Sequence, residues 1–104
     1  MGSYRSRLDI IADILHVVSQ DAKKTQIMYQ ANLSYKVLTK YLTEVSEASL
    51  INFEDEKRCY VLTAKGRGFL EAYREYSKDN RHIEKRLNDI NSKRKILEEL
   101  CSSK

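Results

Sequence analysis

A mainly α-helical fold with one small β-hairpin, in which three short helices lead into the hairpin and a long C-terminal helix follows, is what this 104-residue chain predicts. Three observations carry the prediction. Residues 23 to 51 read as two short helices joined by a tight turn. Residues 50 to 62 hold two β-favouring runs around a charged stretch, and from 64 to about 101 there is no proline and a sustained helical apolar period.

The first helix lies in residues 4 to 18, where Leu8, Ile11, Leu15 and Val18 share one face and Ile10, Ile14 and Val17 widen it, so that it forms the floor of the core. The second takes Thr25 as its cap, with Ile27, Met28 and Ala31 on one face, and ends at Asn32, a residue that tolerates left-handed backbone. Ser34 caps the third helix. There Leu38, Tyr41, Leu42 and Val45 make the apolar stripe and leave Tyr35, Lys36, Thr39, Lys40 and Thr43 on the other side, free of acids until Glu44. Tyr29 and Tyr41 fall on or beside the core stripes as packing residues whose hydroxyls reach the surface. Leu50-Ile51-Asn52-Phe53 and Cys59-Tyr60-Val61-Leu62 form the hairpin, with Glu54-Asp55-Glu56-Lys57-Arg58 as its tip. This order is that of a winged helix-turn-helix domain, residues 4 to 63, whose third helix enters the major groove of DNA while the hairpin lies along the backbone.

Thr63 caps the long helix, 64 to 101, and Gly66 and Gly68 in its first turns serve the helix start, since they lack the lysine-serine ending of a phosphate loop. Phe69, Tyr73, Tyr76, Asn80, Ile83, Leu87, Ile90, Arg94, Leu97 and Cys101 follow alternating four- and three-residue steps, the seam of a coiled coil. A second copy is the simplest partner, which makes this a homodimerisation helix. Asn80 and Arg94 are polar seam positions, and Asn80 reads as a register device; the alternative is a break there into two shorter helices.

The net charge of +4 suits a phosphate-bearing partner, yet residues 1 to 63 hold eight basic and eight acidic residues, so the excess lies wholly in residues 64 to 104. Local placement therefore matters more than total charge. Lys36 and Lys40, one turn apart, reach phosphate or guanine acceptors; Thr39 and Thr43 suit a thymine methyl or a phosphate oxygen; Tyr35 stands at the start of the helix. Lys23 and Lys24 immediately precede the second helix, whose first amides favour phosphate, and Lys57 and Arg58 belong to the hairpin tip. Arg67, Arg74, Lys78, Arg81, Lys85 and Arg86 either flank a DNA backbone or are the solvated flanks of a coil, the simpler reading.

Catalysis has no candidate constellation, because His16 and His82 stand alone on separate helices; Cys59 and Cys101 lack metal-ligand or disulfide partners and read as idle thiols. No cofactor or metal is expected. No apolar run approaches the roughly 18 residues of a membrane span and no signal peptide opens the chain, so a soluble, cytoplasmic protein is expected.

The run TQIMYQANLSYKVLTKYLTEV, followed by LI, a short hairpin and YVLTAKGRGFL, closely resembles the archaeal winged-helix family of ten-kilodalton DNA-binding proteins that dimerise through an antiparallel coiled coil. Ile27 to Tyr35 and the Leu62-Thr63-x-Lys65-Gly66 step are its specific parts, and it covers about residues 7 to 100. The resemblance implies a cytoplasmic, nucleoid-associated dimer on double-stranded DNA, either chromatin-associated or a transcriptional regulator. The departure is the wing, where Glu54, Asp55 and Glu56 stand near the expected phosphates and Lys57 and Arg58 have to offset them. Two other readings stay open: a regulator with a defined operator, and a protein-interaction module in an oligomeric scaffold, which the neutral charge of residues 1 to 63 and the acidic wing encourage.

Overall fold

The computed structural model describes residues 5–102, so Tyr4, where the first domain was expected to begin, lies outside the described residues. The elements are α1 (Arg7–Val18), α2 (Lys24–Gln30), α3 (Tyr35–Glu47), β1 (Ile51–Glu54), β2 (Cys59–Leu62) and α4 (Ala64–Leu100). This is the expected order, a winged helix-turn-helix followed by one long helix. Two compact units succeed one another along the chain, the first ending at Tyr73 and the second beginning at Arg74.

The first unit is organised by α1, which opens with a capping box: the Ser6 hydroxyl accepts from the Asp9 N–H while the Asp9 carboxylate accepts from the Ser6 N–H. Ile14, Leu15 and Val18 of α1, Ile27 of α2, Leu38 and Val45 of α3 and Ile51 of β1 are fully buried. Each contributes about 1.5–3 kcal/mol by leaving water. No polar or charged residue is buried with them among the described residues. Leu8, expected on the buried face, shares the side of Leu15 and Ala12 but sits in the first turn of the helix and is 37% exposed. Ile14, expected only to widen that face, is fully buried.

The helix-turn-helix is held by its turns. α2 starts earlier than Thr25, at Lys24, with Lys23 as a cap that supplies no side-chain bond. The reason lies in Ala22, whose N–H donates to the Tyr60 carbonyl and whose carbonyl accepts from the Tyr60 N–H, at 3.1 and 2.8 Å. The chain therefore stays extended up to Lys23 and turns helical at once. α2 ends in a Schellman motif, with Leu33 N–H donating to the Met28 carbonyl, Asn32 N–H to Tyr29, and Asn32 at φ 54° as its sequence suggested. Ser34 caps α3 through the Val37 N–H at 3.2 Å, as expected. Tyr29 is a correction: it is 75% exposed and not a packing residue, since two residues of helix rotate it about 200° from Ile27, the only buried position of this short helix.

α3 ends in the same motif, Leu50 N–H donating to the Val45 carbonyl and Ser49 taking φ 62°. This consumes Leu50 as part of the cap, so β1 begins at Ile51, one residue later than its composition suggested, and runs through Glu54. The strands pair antiparallel from Ile51 with Leu62 to Glu54 with Cys59, and Phe53 meets Tyr60 edge to face at 5.1 Å. The wing tip shrinks to Asp55-Glu56-Lys57-Arg58, closed by Arg58 at φ 53°.

Thr63 ties the hairpin to α4. Its hydroxyl donates toward the Ser49 and Leu50 carbonyls and accepts from the Gly66 N–H at 2.9 Å, the cap read from the sequence. Gly66 has a reason that sequence did not supply: a Cβ there would stand 2.2 Å from the Leu50 carbonyl oxygen and 2.6 Å from Leu62 Cδ1. Only a hydrogen lets the helix start this close to the α3 cap. Phe69 and Leu70 pack on the core, and the Tyr73 hydroxyl bonds the Asp9 carboxylate. That bond, ahead of those from Ser6 and the charge of Arg5, holds Asp9 below its usual carboxylate range. α4 continues through Asn80 and Arg94 without a break, and no described residue from Arg74 onward is buried.

Candidate nucleic-acid interface

The amphipathic spacing of α3 turns Leu38, Leu42 and Val45 inward; Lys36, Thr39, Lys40 and Thr43 are exposed away from them, and Tyr35 is exposed as the first residue of the helix. The five residues assigned to this face thus share one accessible surface. Glu44, the acid that ends it, is half-buried and forms an ion pair with Arg7 of α1, so its charge is met within the chain.

The two threonines are not equivalent to free hydroxyls. Thr39 Oγ1 donates to the Tyr35 carbonyl at 2.8 Å and Thr43 Oγ1 to the Thr39 carbonyl at 3.0 Å. With its proton tied to the preceding turn, each hydroxyl offers lone pairs and a methyl group outward. A thymine methyl or a donor group suits that state better than a phosphate oxygen, which would demand the same proton.

Lys24 joins the two helices of the motif. Its ammonium donates to the Tyr35 hydroxyl at 3.2 Å and lies 4.4 Å from the centre of the Tyr35 ring. The hydrogen bond first and the positive charge second hold the Tyr35 phenol below its ordinary value. The tyrosine oxygen accepts from Lys24 and keeps its own proton for an acceptor outside, so Lys24 and Tyr35 present a cation and a donor together at the N-terminal end of α3. Lys40 Nζ lies 5.8 Å from the half-buried Tyr41 ring, and Lys36 extends into solvent. Lys23 is exposed at the α2 cap. Lys57 and Arg58 are exposed in the wing turn with Asp55 and Glu56, while Glu54 is withdrawn to the end of β1 and half-buried, leaving two acids against two bases at the tip.

Sequence reasoning missed Arg5. Its guanidinium donates to the Asp13 carboxylate at 2.9 Å and to the Ala31 and Asn32 carbonyls at 2.6 and 2.8 Å, gripping the turn between α2 and α3 from the α1 side. Cationic groups belong at a helix C-terminus, where the last carbonyls lack partners. Nothing local announces this contact, because its partners lie 26 and 27 residues away. Lys65 does the same for α3, donating to the Ala48 carbonyl at 2.8 Å.

Of the seam residues, Phe69 packs against the first unit's own core and Tyr73 bonds Asp9, whereas Tyr76, Ile83, Leu87, Ile90 and Leu97 are more than half exposed. Asn80 is exposed among them. Both cysteines are free, Cys59 buried and Cys101 exposed, and His16 and His82 are exposed. Among the described residues no cluster of side chains has the makeup of a metal site, and no helix is long and apolar enough to cross a membrane.

Three helices with a tight turn between the second and third, and a two-stranded wing, define a winged helix-turn-helix protein. Residues 4–81 match the winged helix-turn-helix family, and the chain belongs to it. Over 64 residues it is 34% identical to an uncharacterised protein of Methanocaldococcus jannaschii, covering 61% of this chain and 64% of that one, a little under two thirds of the relative's length. The crystal structure of Sso10a-2, a DNA-binding protein from Sulfolobus solfataricus, has the same fold at a TM-score of 0.67 and 24% identity, over 96% of this chain and 100% of that one. A single-residue variant of Lactococcus lactis ZitR matches at a TM-score of 0.60 and 16% identity, over 96% of this chain and 76% of that one. The archaeal winged-helix resemblance carried by Ile27 to Tyr35 and Leu62 to Gly66 agrees with the first two of these.

Proposed function

We propose that this chain is a non-enzymatic protein that binds double-stranded DNA through α3 and works as a homodimer paired along the seam of α4. The observation that carries the DNA reading is the exposed face of α3, free of acids from Tyr35 to Thr43, where Tyr35, Lys36, Thr39, Lys40 and Thr43 stand together with Lys24 at their edge and Glu47 follows one turn later. Its chemistry suits a major groove: two ammonium groups for phosphate or guanine acceptors, threonine methyls for thymine, and a phenol donor. The archaeal DNA-binding neighbour of the same fold supports this reading. Lys57 and Arg58 of the wing add backbone contacts, with Asp55 and Glu56 limiting them.

The dimer reading is supported by Tyr76, Ile83, Leu87, Ile90 and Leu97, large apolar side chains left more than half exposed at heptad spacing. Residues 4–63 then serve as the DNA-binding domain and 64–101 as the dimerisation helix, whose first turns also complete the domain core. Antiparallel pairing, as the family resemblance implies, would separate the two DNA-reading surfaces and suit an architectural, nucleoid-associated role. Binding should be chiefly electrostatic, releasing counterions from about four to eight phosphates.

Titration of labelled duplex at about 50 and 200 mM salt tests the DNA reading. Lys36→Glu with Lys40→Glu should weaken binding at least roughly tenfold and flatten the salt dependence. Equal affinity for unrelated duplexes points to architecture, and a strong preference for one sequence to a regulator. A second reading, a protein-interaction module, is favoured by the half-exposed Phe53 beside Tyr60 and the acids at the wing tip. It is the one sustained if the charge-reversed pair leaves DNA affinity unchanged.

A further inference from the structure

Opposite the apolar seam, the second unit carries a run of positive charge that the first unit lacks. Arg74, Lys78, Arg81 and Lys85 follow at four-, three- and four-residue steps along α4. At about 100° per residue all four fall within about 60° of one another, roughly half a turn from Ile83 and Leu87. With His82 they line one shallow depression, and all five are exposed. No acid falls on this line between Arg74 and Asn88: Glu75, Asp79 and Glu84 turn to other sides of the helix. None of the four cations is in an ion pair among the described residues.

A solvated helix surface mixes its signs, as Asp89, Lys93, Lys95, Glu98 and Glu99 do around the later turns of the same helix, where the continuation of the basic line holds Asp89, Ser92 and Glu99. The earlier segment does the reverse. Arg74 with Lys78 and Arg81 with Lys85 are like-charge neighbours one turn apart, and Lys78 with Arg81 adds a third, an arrangement that weakens an isolated helix. A polyanion relieves that repulsion. A membrane surface would call for apolar side chains on the same line, and Arg74, Lys78, Arg81, Lys85 and Asn88 include none. From Arg74 to Lys85 the helix rises about 16 Å, which lies alongside on the order of nine phosphates of a duplex carrying one per roughly 1.7 Å of axis.

We propose that Arg74, Lys78, Arg81 and Lys85 form a second DNA contact, one that grips duplex phosphates without regard to sequence and adds to the contact made by α3. This rests on the DNA-binding reading above. The stripe requires only phosphates, so its contribution should appear in the salt dependence and be equal for all duplexes.

The test uses the whole chain and a labelled duplex of mixed sequence, with affinity measured from 50 to 300 mM salt for the wild type and for Arg74→Gln, Lys78→Gln, Arg81→Gln and Lys85→Gln combined. Glutamine keeps helix propensity, and circular dichroism with sedimentation confirms unchanged helicity and assembly. The expected result is a loss of about tenfold or more at the lowest salt and a salt slope smaller by about 2 to 4, at about 0.9 per phosphate contact. Lys78→Gln with Lys85→Gln should lower the slope, and Lys93→Gln with Lys95→Gln, removing the same charge elsewhere on α4, should not. A fourfold variant with the wild-type slope overturns the proposal, as does an equal fall from the Lys93 and Lys95 pair. A wild type that binds no duplex at the lowest salt overturns the DNA reading itself, a different failure from a wild type that binds without using the stripe.

Discussion

α3 and the part of α4 beyond Tyr73 are built on similar apolar stripes with opposite fates. In α3, Leu38, Leu42 and Val45 are covered by α1, α2 and the wing of the same chain. In α4, Tyr76, Ile83, Leu87, Ile90 and Leu97 remain between 51% and 64% exposed. Both stripes present large apolar side chains at helical spacing, although the one in α3 is the sharper. What differs is supply: the short helices and the hairpin that close the first unit end at residue 63, and only the first turns of α4, through Phe69, Leu70 and Tyr73, find core to pack on. A helical apolar period therefore states that a surface needs covering, and the number of elements left in the chain decides whether the chain can cover it. Charge divides the same way, with residues 1 to 63 neutral and residues 64 to 104 carrying the whole positive excess.

The largest effects test this contrast directly. Leu38→Ala should cost the first unit about 2–5 kcal/mol at any protein concentration. Leu87→Ala should leave that unit's stability within about 0.5 kcal/mol, as exposed substitutions do, while weakening assembly so that its effect fades on dilution. Urea unfolding at two protein concentrations separates the two, and a Leu87→Ala effect that ignores concentration would break the contrast.

Within α4 the boundary can be sharpened by one substitution made twice. Gly66→Ala drives a Cβ onto the Leu50 carbonyl and Leu62 and should cost about 1–3 kcal/mol even though alanine favours helix. Gly68→Ala meets nothing within 4 Å and should stabilise by up to about 1 kcal/mol. Thermal melts that show the same sign for both would mean that α4 does not start against the α3 cap. Ser49→Gly, at φ 62° in that cap, should raise stability by up to about 1 kcal/mol by removing the left-handed penalty of a side chain.

The smallest effect belongs to the last contact of the first unit. Asp9 has its folded-state pKa lowered by the Tyr73 hydroxyl, so it contributes stability above its ordinary value of 3.8, and that contribution is lost as pH falls through the folded value. Tyr73→Phe should therefore narrow the stability difference between pH 7 and pH 3 in urea titrations. An unchanged difference would remove Tyr73 from the docking of α4 on α1.

Much of this was legible in the sequence because it is local. Ser34 and Thr63 as caps, Asn32 as a left-handed turn, the α3 stripe and the five polar residues opposite it depend on neighbours within a turn or two. Misreadings came where a distant partner decides. The Ala22 bridge to Tyr60 moved the α2 start away from Thr25, the Schellman cap took Leu50 out of β1, and a helix of seven residues left Tyr29 outside. Gly66 was legible as a helix start but not as a close approach, because Leu50 precedes it by sixteen residues. In the site, Lys24 was expected to attract phosphate beside the α2 amides; its bond to Tyr35 crosses the turn and has no signature in spacing. Arg5 left no signal at all.

Backbone amide shifts of the labelled protein, recorded as a duplex is titrated in at low salt, would test the division of labour most directly. Large changes are expected at Lys24, residues 35–43 and the basic line of α4, with smaller ones at Lys57 and Arg58, and with Ile83, Leu87 and Ile90 of the seam left in place. Changes concentrated at those seam residues, with residues 35–43 unmoved, would contradict it.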